Sequence, residues 1–432
     1  MKSERHIMRP LRFALVTTFY PPFNFGGDGI YVQRLARSLV AKGHHVEVIH
    51  DTDGYRALSG RDPVVPDASD GVIVHRLRSG SPRTATLRVH QTGRPGAHAR
   101  TLERLLGNRF DVIHYHNVSL IGGPGVWSIG QGIKLHTAHE HWLVCPTHLL
   151  WRDNREICDA RHCLRCQMTY RRPPQLWRAT DHLAREAQHV DRFLMLSASS
   201  ARNHSAFGFQ QPMTVIPSFL PDAPPLPPTP GLDPAARPYF LFVGRLEAIK
   251  GLQDAIPLFR DLPADLLIAG SGDHETELRK LARGMDNVRF LGRVEPENLR
   301  GLYRDARALL APSRCYEVFP LVVLEAFREG TPILARDLGP YPDIVAESGA
   351  GLLFKTQSEH LAGLQRLLAE RDFAASLGNS GRCAFLQTWS AARSHHTYFN
   401  IIGEVADKKG LSDLAIQARG WRDACLAESL PE

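Results

Sequence analysis

No uninterrupted apolar run in the 432 residues approaches the roughly 18 needed to cross a bilayer. A secretion signal is also missing. Basic residues precede Phe13-Ala14-Leu15-Val16, but that apolar run is too short and no small-residue cleavage site follows it. The run reads instead as a first buried strand, and the expected location is the cytoplasm. There is no Lys/Arg block with interleaved aromatics and no recognisable nucleic-acid module, which removes nucleic acid as a partner. Cysteine is scarce, seven residues in all, and four of these crowd one segment. In a cytosolic chain such crowding suggests metal before disulfides.

What is present fits a soluble globular protein: 43% of residues are apolar and 22% charged, so global disorder is excluded. A net charge of +7 suits an anionic substrate or lipid headgroups, and with them a peripheral association with a membrane. The length exceeds one ordinary core, and two domains of about 200 residues are the natural expectation.

The pattern along the chain bears this out as an expectation of two alternating α/β units. Residues 11–17 form an apolar run ending in Phe19-Tyr20-Pro21-Pro22, a strand and then a loop. After Gly26-Gly27, apolar residues fall at Val32, Leu35, Ala36, Leu39 and Val40, one stripe of a helix. Strands are expected again at residues 45–50, 111–116 and 133–138. Strand, helix, strand in this rhythm implies a parallel sheet with right-handed crossovers. Proline then recurs nine times between Pro217 and Pro238, which no central strand or helix interior tolerates. The pattern restarts with strands at 239–243, 265–269, 288–291, 309–312 and 331–335. The expected layout is therefore a first domain over 1–217 with a cysteine-rich insertion at 145–166, a linker over 218–238, a second domain over 239–387, and a helical segment over 388–432.

In doubly wound sheets, ligands bind at the carboxyl ends of the strands, where loops expose backbone N–H groups at helix N-termini. Gly26-Gly27 occupies such a loop, and glycine there lets a phosphate approach the backbone. In the second unit, Gly244-Arg245-Leu246-Glu247-Ala248-Ile249-Lys250-Gly251 places two cations five residues apart between a strand and a helix. A guanidinium fork and an ammonium point charge can share one diphosphate. The segment Tyr316 to Ala326 puts Glu317 in a loop and Glu325 about two turns into the following helix. Two carboxylates so placed can bracket a ligand over the helix N-terminus and accept hydroxyl donors from ribose and hexose. His114 and His116, alternating on one strand, are expected to line the cleft.

These motifs together resemble glycosyltransferase family 4, retaining enzymes of GT-B fold, over nearly the whole chain. The resemblance rests on Gly26-Gly27, Asp111 to Asn117, Thr137-Ala138-His139-Glu140-His141-Trp142, Val243-Gly244-Arg245 with Lys250-Gly251, Ala269-Gly270-Ser271-Gly272, and the Glu317 and Glu325 pair. It implies two Rossmann-like domains facing a central cleft, with C-terminal helices crossing back to the first. It further implies a UDP- or GDP-type nucleotide-sugar donor, a hydroxyl acceptor and transfer with retention; the basic surface points to an acceptor that is lipid-linked or otherwise anionic. Arg245 and Lys250 would hold the diphosphate and stabilise the departing nucleotide. Glu325 would bind ribose and Glu317 the transferred sugar. Gly244, Gly270 and the backbone around Phe319, Pro320 and Leu321 would flank sugar and phosphate, with Gly26 and Gly27 approaching from the other side. His139 would sit near the anomeric centre. No divalent metal is expected at the diphosphate and no protein general base is assigned. Pro320 and Pro340 stand where the family usually has glycine, which removes one backbone donor and stiffens a loop. A nucleotide-sugar epimerase, or an inactive nucleotide-sugar-binding scaffold subunit, is the alternative.

Cys145, Cys158, Cys163 and Cys166 supply four thiolates within 22 positions, enough for a closed structural zinc site. An iron–sulfur cluster uses the same ligands. The intervening residues are polar and rich in arginine, so a metal would replace the missing core.

Overall fold

The computed structural model describes residues 8–65, 70–107, 109–221, 223, 226 and 237–427. Among the described residues there are fifteen strands. The first sheet draws on β1 (Arg12–Thr17), β2 (His45–Asp51), β3 (Ile73–Leu77), β4 (Val112–Tyr115) and β5 (Ile133–Ala138). A two-stranded hairpin, β6 (Trp151–Arg152) and β7 (Glu156–Ile157), interrupts the series before β8 (Arg192–Met195) and β9 (Met213–Val215). The second sheet contains β10 (Tyr239–Val243), β11 (Asp265–Ala269), β12 (Val288–Gly292), β13 (Leu309–Ala311), β14 (Ile333–Arg336) and β15 (Gly351–Phe354).

Both sheets are doubly wound. The first runs β3-β2-β1-β4-β5-β8-β9 and the second β12-β11-β10-β13-β14-β15. Paired strands in both are parallel. Burial on both faces explains why β1 is a nearly continuous apolar run, while β4 and β5 are buried along their whole length even at His114, Lys134 and His136. The strand order reverses between β1 and β4 in one sheet and between β10 and β13 in the other. Crevices open at the carboxyl ends of strands at such reversals. The loops after β1, β4, β5, β10 and β13 therefore carry the side chains of the site.

The sequence reading misses β3, β8, β9 and β15. These strands are five residues or fewer, and β3, β9 and β15 are sheet edges that are only partly buried. Their apolar signal is correspondingly weak.

After the helix Arg371–Ala384 and its continuation Phe385–Trp389, the helices Ala391–Lys408 and Ser412–Ala427 return to the first domain. Tyr398, Phe399 and Ile402 pack into one core with Leu11, Phe13 and Leu15 of the first sheet. Trp421 Nε1 donates to the carbonyl of Arg9 at 3.0 Å, which closes the chain on its own beginning. Within the span expected as linker, Ser218, Phe219 and Leu220 are buried, and Leu220 bridges to Ser390. Most of the remaining proline-rich stretch lies outside the described residues. No described helix is long and apolar enough to cross a membrane.

Candidate functional site

The loops converge on one open cleft of about 350 Å³ between the two sheets. Gly26, Gly27 and His139 line it from the first domain, and Arg245, Lys250, Glu317, Phe319 and Leu321 from the second. A Cβ built on Gly27 would meet Leu321 Cδ1 at 3.4 Å, so the glycine loop faces the first turn of the helix Leu321–Arg328 directly. Ser197 Oγ donates to the carbonyl of Val318 at 2.7 Å, a second tie across the same gap.

The cationic loop is set by close backbone contact. Gly251 has φ +78, and a Cβ there would lie 2.0 Å from the carbonyl oxygen of Pro312. Only glycine fits this position. The contact joins the loop after β10 to the loop after β13, and Arg314 N–H donating to the Ile249 carbonyl at 2.8 Å pins them. Lys250 Nζ consequently donates to Glu317 Oε1 at 2.7 Å, and Ser313 Oγ donates to the same oxygen at 2.7 Å. Burial alone would push Glu317 up, but Lys250 and Ser313 outweigh it and hold the carboxyl below its ordinary value. Burial would likewise lower Lys250, yet Glu317 raises it overall. Both groups are thereby kept ionised. Arg245 is more open: its side chain is 63% exposed and Nη1 pairs with Glu247 at 2.8 Å.

Glu325 sits apart from the cleft floor. It is the fifth residue of its helix, little more than one turn from the start, where the sequence reading puts it two turns in. Tyr303 donates to Glu325 Oε2 at 2.7 Å, while burial raises the carboxyl above its ordinary value. Pro320 is the N-cap of this helix and offers no N–H. Gly244 and Gly270 do not line the main cleft. They line an adjoining hollow of about 260 Å³, joined to the cleft through Arg245 and walled by Arg293, Val294 and Leu299. A Cβ on Gly270 would lie 1.9 Å from the Gly244 carbonyl, so loop-to-loop packing is itself a reason for glycine there.

On the first-domain side, His139 Nε2 lies 3.0 Å from His116 Nδ1. Burial lowers His139 to about 4, so it is neutral at physiological pH. His114 and His116 do not line the cleft, contrary to expectation. His114 is sealed between the Tyr398 hydroxyl at 3.0 Å and Thr137 Oγ1 at 2.8 Å, and His116 stands behind His139. The helix Ala391–Lys408, whose Tyr398 covers His114, was invisible to a local reading of strand alternation.

Four polar residues of the cleft, Asp28, Asn117, Glu140 and His148, receive no role in the sequence reading. Asn117 Nδ2 donates to Asp28 Oδ2 at 3.0 Å and to Glu140 Oε1 at 3.4 Å, and His148 Nδ1 lies 2.6 Å from that same Glu140 oxygen. Burial and then Glu140 raise Asp28, whereas His148 and Arg172 overcome burial and lower Glu140. Asp28 directly follows the glycine pair and Glu140 directly follows His139, which was the available signal.

The four cysteines line a single small hollow together. Their hairpin packs across the gap: Trp151 clusters with Ile249 and Cys315, the neighbours of Lys250 and Glu317.

Comparison with known proteins follows the same division. Residues 25–223 match the profile of Glycosyltransferase Family 4, and residues 231–383 that of Glycosyl transferases group 1. An uncharacterized glycosyltransferase of Methanocaldococcus jannaschii is 27% identical over 395 residues, covering 86% of this chain and 93% of that protein. Sucrose-phosphate synthase from Thermosynechococcus elongatus superposes with a TM-score of 0.70 at 22% identity, covering 93% of this chain and 100% of its own. HepE from Anabaena in complex with UDP-glucose superposes with a TM-score of 0.60 at 14% identity, covering 93% and 99%.

Proposed function

The chain belongs to glycosyltransferase family 4, has the GT-B fold and is a glycosyltransferase, and from that premise we propose that it transfers a hexosyl group from a UDP- or GDP-sugar to a hydroxyl acceptor with retention. The observation that carries this reading is the ionised Lys250–Glu317 pair in the cleft floor, with Arg245 beside it and the Gly26-Gly27 loop opposite. Lys250 and Arg245 present fixed positive charge where a diphosphate gains negative charge on leaving, an arrangement that costs no reorganisation. Glu317, already oriented by two donors, turns its remaining acceptor capacity toward sugar hydroxyls. Glu325 takes the ribose, and the hollow beyond Arg245 takes the base. The UDP-glucose bound by HepE supports the uridine form of the donor.

The anomeric carbon's bond to the β-phosphate oxygen breaks, and its bond to the acceptor oxygen forms on the same face. The acceptor's proton passes to the leaving phosphate oxygen. No side chain then needs to act as general base. His139, neutral, serves as a hydrogen-bond partner near the anomeric centre rather than as an acid. No divalent metal is needed in this scheme, since Arg245 and Lys250 supply the charge. The net charge of +7 favours an anionic or lipid-linked acceptor reached from the cytoplasm at a membrane surface.

The test is nucleotide release from a panel of UDP- and GDP-sugars with and without acceptors, followed by NMR of the product's anomeric configuration. Acceptor-dependent release with retained configuration supports the reading. Inversion, or interconversion of the donor sugar without transfer, refutes it.

A further inference from the structure

The insertion after β5 has too little core to hold its own shape. His148, Leu150, Asp153 and Asn154 take φ of 75, 48, 50 and 56, left-handed values that strain a non-glycine residue. Its regular structure is one hairpin of two-residue strands and the short helix Cys163–Thr169. Yet the four cysteines of this segment, separated by up to 21 positions, line one hollow of about 20 Å³. All four are free of disulfides, Cys145 and Cys166 are buried, and Cys158 and Cys163 are half-buried.

Two further features surround the sulfurs. The backbone N–H of Asp153 lies 3.4 Å from Cys166 Sγ, a donor suited to a thiolate. Arg178, which donates to the Trp142 and Leu143 carbonyls, lines the adjoining hollow together with Arg161 and Cys163. Four thiolates around a divalent ion carry a net charge of −2, and two guanidiniums match it.

We propose that Cys145, Cys158, Cys163 and Cys166 form a closed four-thiolate zinc site whose ion replaces the missing core of the insertion. The ion draws the loop in. Among the described residues, only Asp51, Asp53 and His98 bring three ligand atoms within 4.8 Å of one another. Zinc bonds of about 2.3 Å place tetrahedral sulfurs about 3.8 Å apart, so the cysteines close up on binding. Asp51 and Asp53, by contrast, already accept backbone N–H groups of Asp53, Gly54 and Ser79, and the acidic pair needs no ion. The consequence for the cleft is direct. The ordered hairpin presses Trp151 onto Ile249 and Cys315, and the same segment presents His148 to Glu140.

Elemental analysis of the purified full-length chain tests this without any sugar substrate, so its outcome is independent of the proposed transfer reaction. The expected result is about one zinc per chain, with sulfur-to-metal charge-transfer bands when cobalt replaces it. Cys158→Ser and Cys163→Ser should each lose most of the bound zinc, while Cys383→Ser, at an exposed cysteine elsewhere, should retain it. Should either serine variant fail to fold, the zinc content and cobalt spectrum of the unaltered chain decide alone. Removing the metal should expose residues 145–172 to proteolysis. A metal-free chain with seven reactive thiols, a chain with disulfides in this segment, or an iron–sulfur chromophore overturns the proposal.

Discussion

Lys250 Nζ and Glu317 Oε1 stand 2.7 Å apart although 67 positions separate them in the chain. The contact exists because β10 and β13 are neighbours at the reversal point of the second sheet. Gly251 then lets the Pro312 carbonyl approach where any side chain would block it. The cation we propose for phosphate is thereby held by the carboxylate we propose for sugar, and each keeps the other charged.

Lys250→Ala should lower the rate of transfer by about 100- to 1000-fold, the usual loss when one fixed donor to a developing anion is removed. Glu317→Gln should lower it comparably. Steady-state kinetics with the donor varied checks both, and full activity in either variant would contradict the assignment.

The pair should be insensitive to pH across the neutral range. Glu317 is held low, so its stabilising contribution is present above the unfolded carboxylate value and lost as pH falls through the lower folded one. Lys250 is held high, so its contribution is complete below the unfolded lysine value and lost as pH rises through the higher folded one. Both stay ionised between about pH 5 and pH 10. With His139 at about 4, none of these three groups places a limb in the rate profile between about pH 6 and pH 8. Such a limb that disappeared in His139→Gln would refute this.

Stability should fall steeply in mild acid. Burial lowers His50, His114, His141 and His395 to about 3, and His44, His139, His204 and His360 to about 4. Each favours the folded state fully above the unfolded histidine value of about 6.5 and progressively less as pH drops below it. Tm measured from pH 7.5 down to 4.5 should stay level at first and then decline sharply. A flat curve would mean that these rings are not buried neutral.

Gly251→Ala should destabilise the chain well beyond Gly284→Ala. Both glycines have positive φ, but nothing lies within 4 Å of a Cβ on Gly284, which leaves only a backbone cost of about 1–3 kcal/mol. At Gly251 the clash with Pro312 adds to that cost and displaces Lys250. Thermal unfolding of the two variants, with donor KM for Gly251→Ala, separates the contributions.

Tyr303→Phe should raise donor KM by about three- to tenfold with kcat little changed, since it removes one hydrogen bond from Glu325 and nothing from the cleft floor. An unchanged KM would detach Glu325 from donor binding.

The sequence alone determined the parallel α/β character and the places where loops meet strand ends. Runs such as Phe13 to Val16 and Tyr239 to Val243 are apolar on both faces, which only doubly covered strands require. Local spacing also located Arg245, Lys250, Glu317 and the four cysteines, because their chemistry is legible in residue type and position. It misread His114, which is covered by Tyr398 from 284 positions away, and His116, which stands behind His139. It gave no role to the Asp28, Asn117 and Glu140 cluster, assembled from one helix start and two loops. Closeness to His139 in the chain places the cysteine insertion at the cleft, but not its packing on Ile249 and Cys315. Those features arise from contacts distant in sequence. Periodicity reports which face of one element is buried, whereas the partner that buries it is decided only when the sheets, the insertion and the returning helices pack together.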